Sequence, residues 1–154
     1  MTCRGSDRHE LICRPEDVVD LEARNGLLQI DEVRRLANLA FQSPGYSLDL
    51  ATILSLHELA TREIYSDAGR LRAGSVAISG TKHRPPPAQE VSGHVEAMIE
   101  YVNANWDKKP LHLCSYLMWR CNWIHPFCDG NGRTTRALSY LVFLARLGYE
   151  PGGT

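Results

Sequence analysis

The sequence lacks several features that would assign it to a broad class. It has no apolar run long enough for a bilayer and no signal-peptide pattern in its first ten residues. We therefore expect a cytoplasmic protein with no membrane partner. The five cysteines are odd in number and form no Cys-x-x-Cys pair, which favours a reducing setting over a disulfide framework or a zinc ribbon. The net charge is −1, which disfavours nucleic acid as a partner because domains that coat it are usually strongly basic.

What is present fits one globular domain. A chain of 154 residues can bury about two-thirds of its unfolded surface without a disulfide or metal. Its apolar fraction of 44% and charged fraction of 23% are ordinary for such a domain. We predict a polar lead-in over residues 1–14 and a single domain over residues 15–154.

Helical spacing of apolar residues dominates the chain. Pro15 predicts the start of a first helix that ends near Asn25-Gly26, and Asp31 and Ser47 predict the caps of the next two helices. Further helices are predicted over about 91–105, 110–124 and 131–147. The segment Ser75–Ser79 alternates as a strand does and predicts one β-hairpin flap. The predicted class is therefore mainly α.

One twelve-residue segment between the last two helices concentrates chemical groups: His125-Pro126-Phe127-Cys128-Asp129-Gly130-Asn131-Gly132-Arg133-Thr134-Thr135-Arg136. Its Gly-Asn-Gly sequence opens a helix, and glycines let successive N–H groups point into one hollow at the positive end of the helix dipole. Such a hollow suits phosphate. A plain glycine-rich turn is the alternative.

The charged residues of this segment also indicate phosphate. Arg133 and Arg136 share one face of the first two turns, where cations oppose the helix dipole unless an anion neutralises them. Guanidinium groups bind phosphate through paired hydrogen bonds. Asp129 beside phosphates indicates a bridging Mg²⁺. The alternatives are that the arginines pair with carboxylates such as Asp129 or Glu150, or that Asp129 is a cap.

The remaining residues of the segment supply a base and an anchor. His125 titrates near neutrality and can take a proton from a hydroxyl, and Pro126 is expected to hold it in an extended conformation. Phe127 is predicted to be a structural core residue, whereas Cys128 is a disfavoured nucleophile. His57, on an apolar helix face, is predicted to be a hydrogen-bonded core residue. Together these groups describe transfer of a phosphoryl-type group from a nucleoside triphosphate to a hydroxyl.

The segment resembles the Fic family motif, His-x-Phe-x-Asp/Glu-Gly-Asn-Gly-Arg-x-x-Arg, at every fixed position. The resemblance covers about residues 47–149. It includes Leu56–Leu59, Ala68–Arg72, Val76–Ile78, Pro85-Pro86 and Gly148-Tyr149.

The resemblance implies an all-α Fic fold of about six to eight helices with one β-hairpin flap. It implies transfer of AMP from ATP, with Mg²⁺, to a Ser, Thr or Tyr hydroxyl of a target protein. By motif position, His125 is the general base and Asp129 holds Mg²⁺. The implied nucleotide- and phosphate-binding residues are Gly130, Asn131, Gly132, Arg133 and Arg136, the last clamping the γ-phosphate. The flap is expected to bind the target by strand addition through Gly74, Ser75, Val76, Ala77, Ile78, Ser79, Gly80, Thr81, Lys82, His83 and Arg84.

Several alternatives stay open on the sequence. Many Fic proteins carry an inhibitory helix with the pattern Ser/Thr-x-x-x-Glu-Gly/Asn, and Ser6-x-x-x-Glu10 matches only its first half. Glu22 does not match it, because Val18 lies four residues before it and Ala23 follows it. A separate inhibitory protein, as in a toxin–antitoxin pair, and a homo-oligomer are further expected partners. The scaffold could also be a catalytically idle binding module, or could transfer another phosphate-containing group. A nucleic-acid binder is the third alternative, on the basic residues Arg62, Arg70, Arg72, Lys82 and Arg84.

Overall fold

The computed structural model describes residues 2–4, 10–11 and 14–148, so that most of the predicted lead-in, with Ser6, and Tyr149 and Glu150 lie outside the described residues. Five helices and two short strands occur in this part of the chain, and the all-α class is confirmed. The elements are β1 (Thr2–Arg4), α1 (Pro15–Gln42), α2 (Leu50–Thr61), β2 (Ser75–Ala77), α3 (Ala88–Ala104), α4 (Pro110–Ile124) and α5 (Asn131–Leu147). Among the described helices, none is long and apolar enough to cross a bilayer.

The first helix is one continuous element, so the predicted break at Asn25-Gly26 is wrong. The Asn25 side chain is fully buried and donates to the carbonyl of Arg62 at 2.9 Å. One turn later, Gln29 donates to the carbonyl of Leu56 at 2.7 Å. These bonds hold this part of α1 against α2, and they outweigh the low helix propensity of Asn and Gly. The α2 cap also differs, because Asp49, and not Ser47, accepts from the Thr52 N–H at 2.8 Å.

Helix α5 lies at the centre of the domain and packs against α1, α2 and α4. Its residues Leu138, Leu141 and Val142 are fully buried in the core. The predicted bounds of α4 and α5 agree with the structure. Since the body of α5 is fixed on three sides, its N-terminus, which carries the candidate phosphate site, has a fixed position in the domain.

The flap differs from the predicted hairpin. Strand β2 pairs antiparallel with β1, with Thr2 opposite Ala77 and Arg4 opposite Ser75. The flap therefore takes its strand partner from a remote part of the chain, whereas residues 78–87 follow β2 without a further strand.

Candidate active site

His125 ends α4 in a left-handed conformation, with φ 51° and ψ 63°. The expected extended backbone is therefore wrong, although Pro126 follows. The His125 N–H closes the helix by donating to the Cys121 carbonyl at 2.8 Å. A left-handed conformation costs a non-glycine residue about 1–2 kcal/mol, and such strain is concentrated at functional sites.

The His125 side chain is buried and has no partner for either ring nitrogen in hydrogen-bonding geometry among the described residues. Burial is the main cause that lowers the pKa of His125, and the charges of Arg72 and His83 lower it further. The backbone of Asn122 and the carboxylate of Asp129 raise it in part. The imidazole is therefore neutral at neutral pH, with one nitrogen able to accept a proton.

Arg72 fixes the backbone around His125 from inside the protein. Its side chain is buried and donates to four carbonyls. These belong to His125 (2.7 Å), Pro86 (2.7 Å), Gly74 (3.0 Å) and Ile124 (3.3 Å). Gly74 and Pro86 stand at the two ends of the flap, so one guanidinium joins both ends to the end of α4. Arg72 is one of the basic residues on which the nucleic-acid alternative rests, and its burial weakens that alternative.

His57 supports the same loop from α2, and its prediction as a hydrogen-bonded core residue is confirmed. Its Nδ1 accepts from the Gly69 N–H at 2.9 Å, so Nε2 carries the proton and donates to the Asp129 carbonyl at 3.0 Å. The ring stacks on Phe127 with a centroid distance of 3.7 Å and an interplanar angle of 4°. Phe127 is fully buried, as predicted, and thus anchors the loop in the core.

The Gly-Asn-Gly segment begins α5 as expected, and its residues contact different parts of the structure. Gly130 is left-handed (φ 72°), and a Cβ there would lie 2.7 Å from Cγ2 of Thr61. The Asn131 side chain accepts from the Phe127 N–H at 2.9 Å and donates to the Phe127 carbonyl at 2.7 Å. The Asn131 side chain is thus used to hold the backbone of Phe127. No side chain of the described residues caps this end of α5.

The two arginines of the motif have different environments. Arg133 donates to the Ala60 carbonyl at 3.0 Å and pairs with Glu22 at 3.1 Å and Asp129 at 3.5 Å. The carboxylate-pairing alternative therefore describes Arg133, with Glu22 as an additional partner. Arg136 is exposed and has no hydrogen-bond or ion-pair partner among the described residues.

The unpaired Arg136 lies directly over the start of α5. Its Nη1 would be 3.2 Å from a Cβ placed on Gly132. A cavity of about 290 Å³ opens beside it and is also lined by Arg133 and by Gly26 and Tyr140. This side of α5 thus offers an open space beside a guanidinium that no described carboxylate compensates.

Asp129 is the candidate Mg²⁺ ligand, and its side chain is about one-third exposed (31%). Its Oδ1 accepts from the Gly130 N–H at 2.6 Å, and Oδ2 accepts from the Tyr65 hydroxyl at 3.4 Å. The described residues hold no cluster of three or more His, Cys, Asp or Glu for a metal. A single carboxylate beside a phosphate site fits Mg²⁺ that arrives with a nucleotide, because Mg²⁺ usually keeps its waters and binds one or two carboxylates.

The cysteines depart from the expectation of unpaired thiols. Cys128 is buried and disulfide-bonded, so it is not a nucleophile in this state, whereas Cys114 and Cys121 are free. The pairing of Glu22 with Arg133 and the internal role of Arg72 were not predicted from the sequence. Glu22 was considered only as the glutamate of the inhibitory pattern, which its neighbours Val18 and Ala23 do not match. Arg72 lies in a segment that resembles the family, which marked it as relevant without giving its partners.

Known proteins are similar to the part of the chain that contains this site. A model of the Fic/DOC family matches residues 47–143. The chain belongs to the Fic/DOC family. Curated relatives of this Fic domain include "Protein adenylyltransferase Fic" of Nematostella vectensis, 27% identical over 130 residues that cover 82% of this chain and 30% of the relative. The protein of the same name from Aedes aegypti is 27% identical over 139 residues, covering 88% and 27%. The chain spans less than a third of the length of these relatives.

Solved structures confirm the Fic fold. A Fic family protein from Desulfovibrio desulfuricans G20 is 25% identical with a TM-score of 0.68, covering 86% of this chain and 38% of that one. A Fic domain-containing signaling protein from Bacteroides thetaiotaomicron is 23% identical with a TM-score of 0.72, covering 83% and 48%. The predicted resemblance is thus confirmed at the level of family and fold.

Proposed function

We propose that this Fic domain transfers AMP from ATP to a hydroxyl side chain of a target protein. The observation that carries the proposal is the neutral imidazole of His125, which lacks a hydrogen-bond partner among the described residues and lies in the loop that leads into the N-terminus of α5. The name of the curated relatives, protein adenylyltransferase, supports the same activity.

In this proposal the triphosphate lies against the N-terminus of α5. The N–H groups of Asn131 and Gly132 meet the α- and β-phosphates, since helix N-termini favour anions. The Gly130 N–H, which donates to Asp129 in this structure, would join them once Asp129 turns to Mg²⁺. Arg136, which has no partner among the described residues, binds the γ-phosphate. Arg133 contributes positive charge while it holds Asp129 and α1 in place. Mg²⁺ on Asp129 would neutralise phosphate charge during the reaction.

The reaction then uses the base at the other end of the loop. His125 takes the proton from the target hydroxyl, whose oxygen attacks the α-phosphorus and forms the new P–O bond. The bond between the α-phosphorus and the oxygen bridging to the β-phosphorus breaks, and pyrophosphate leaves with the bonding electrons. Catalysis of this kind depends on positioning and charge neutralisation, which a fixed loop and a fixed helix end provide.

Labelled ATP tests this function directly. The chain is incubated with Mg²⁺, a cell extract as acceptor, and ATP labelled on either the α- or the γ-phosphate. We expect protein-bound label from α-labelled ATP alone. Transfer of γ-label would instead make the domain a kinase and contradict the role given to Arg136. Absence of both labels with ATP still bound would favour an idle or inhibited module.

The acid side of the pH–rate profile is a second test. His125 must be neutral to accept a proton, and burial lowers its pKa below the ordinary 6.5. The neutral form, and with it kcat/KM, should therefore persist below pH 6.5 and decline only as the pH falls through the lowered pKa. Circular dichroism at each pH separates this loss from unfolding. A midpoint at or above 6.5 would contradict the assignment of His125 as a desolvated base.

A further inference from the structure

A groove between the flap and α4 leads to the imidazole of His125. Its volume is about 360 Å³. It is lined by Ile78, Thr81, His83, Trp119, Asn122, Trp123 and His125. The groove thus brings the candidate base onto one surface with two tryptophans and an isoleucine.

The two tryptophans of the groove differ, since one is held by neighbouring side chains and the other is exposed. Trp123 is held by the guanidinium of Arg120, 4.4 Å from its ring centroid, and by the edge of His94 at 5.2 Å. Its carbonyl also accepts from Nε2 of His83 at 2.8 Å, which ties the flap to α4. Trp119, one turn earlier on α4, is 59% exposed. Exposed tryptophan beside a preformed groove is typical of protein-binding surfaces, where it supplies large contact area.

The outer part of the flap is positively charged. A second cavity runs along it and is lined by residues 75–78 and 81–85, including Lys82 and Arg84. Both cations are exposed, and neither pairs with a carboxylate of the described residues. Among residues 2–4, 10–11 and 14–148, no Asp or Glu lines either cavity. The outer part of the flap therefore complements negative charge on a binding partner.

We propose that this groove selects the acceptor: a polypeptide segment with a large apolar side chain next to the modified hydroxyl and acidic residues facing Lys82 and Arg84. The inference rests on the proposed AMP transfer and adds the class of target sequence. A polypeptide fits better than nucleic acid because two tryptophans and an isoleucine line the groove and Arg72 is inside the protein. The only cations on the outer flap among the described residues are Lys82 and Arg84, which pair with no described carboxylate.

A degenerate peptide library tests this selection. The peptides carry a fixed central Ser, Thr or Tyr with randomised neighbours, and transfer from α-labelled ATP is measured. Wild type should select Leu, Phe or Trp at a neighbouring position and Asp or Glu farther out. Trp119→Ala should lose the apolar selection and lower kcat/KM for the selected peptides by at least about tenfold, with unchanged ATP affinity. Leu111→Ala is the matched control, because Leu111 is 69% exposed near the other end of α4.

Charge reversal gives an independent readout. The double variant Lys82→Glu and Arg84→Glu should shift the selected residues from acidic to basic, which a merely structural defect would not do. Unselective labelling by wild type, or equal behaviour of Trp119→Ala and Leu111→Ala, would overturn the inference, as would an unchanged charge preference.

Binding without transfer separates this inference from the proposed function. Fluorescence polarisation compares an acidic, phenylalanine-containing peptide with a basic, alanine-containing one. Tighter binding of the former, weakened in Trp119→Ala, would support the groove even where no label is transferred to any protein. Steeply salt-dependent binding of an oligonucleotide that displaces the acidic peptide would count against a polypeptide occupant.

Discussion

Replacement of His125 by alanine is expected to lower the rate of AMP transfer by about 10²–10⁴-fold, the range typical for loss of a positioned general base. ATP should still bind, because the N–H groups of α5 and the guanidinium of Arg136 are unchanged. The measurement is transfer from α-labelled ATP under saturating nucleotide, with ATP affinity measured separately by calorimetry.

His125→Asn is the matched control for this experiment. Asparagine tolerates the left-handed conformation that ends α4 and supplies no base, so it should be as inactive as His125→Ala while preserving the loop. Near-normal transfer by either variant would remove His125 from the mechanism. A loss of ATP binding equal to the loss of transfer would show that the substitution disrupts the loop rather than the chemistry.

Replacement of Arg72 by methionine is expected to destabilise the domain by at least about 3 kcal/mol. Four carbonyls lose their donor, and a buried carbonyl left without a partner costs about 1–3 kcal/mol, partly recovered where the flap opens to water. Urea unfolding measures the change in free energy. At temperatures where the variant stays folded, transfer should fall with little change in ATP affinity, because His125 loses the donor that fixes its carbonyl.

Two further variants make the Arg72 result specific. Arg72→Lys keeps the charge but not the planar set of donors, so we expect an intermediate loss of stability and activity. Arg70→Met removes an exposed arginine two residues away and should change stability by no more than about 0.5 kcal/mol. Equal stability of the Arg72→Met and Arg70→Met variants would contradict the structural role of Arg72.

The parts predicted well from the sequence are those in which neighbouring residues determine the structure. The loop from His125 to Gly130 and the start of α5 are contiguous, and helix caps and glycine conformations depend on local geometry. His57 was assigned correctly because it lies on an apolar face at helical spacing, and Phe127 because an apolar loop residue near the base is expected to turn away from it into the core. The bounds of α4 and α5 followed from Pro110 and Gly148, which begin and end helices by local rules.

Most of the parts that failed depend on residues far apart in the chain. The continuity of α1 rests on Asn25 and the carbonyl of Arg62, 37 positions later. Arg72 meets His125 across 53 positions, and Glu22 reaches Arg133 from another helix. A single sequence does not state such pairings, so Arg72 looked like a surface cation. The backbone of His125 was mispredicted because closure of α4 outweighed the local preference of a residue before proline.

The pairing of β1 with β2 makes access to one edge of the flap an exchange reaction. An extended segment that adds to this edge must first replace a strand belonging to the same chain, so its observed affinity equals its intrinsic affinity scaled by the fraction of molecules in which that edge is open. The tethered strand needs no encounter by diffusion and is present at fixed local concentration. A segment that pairs with this edge more weakly than β1 does is therefore not bound there. The flap thus sets a minimum affinity for strand addition, which the groove beside His125 does not set.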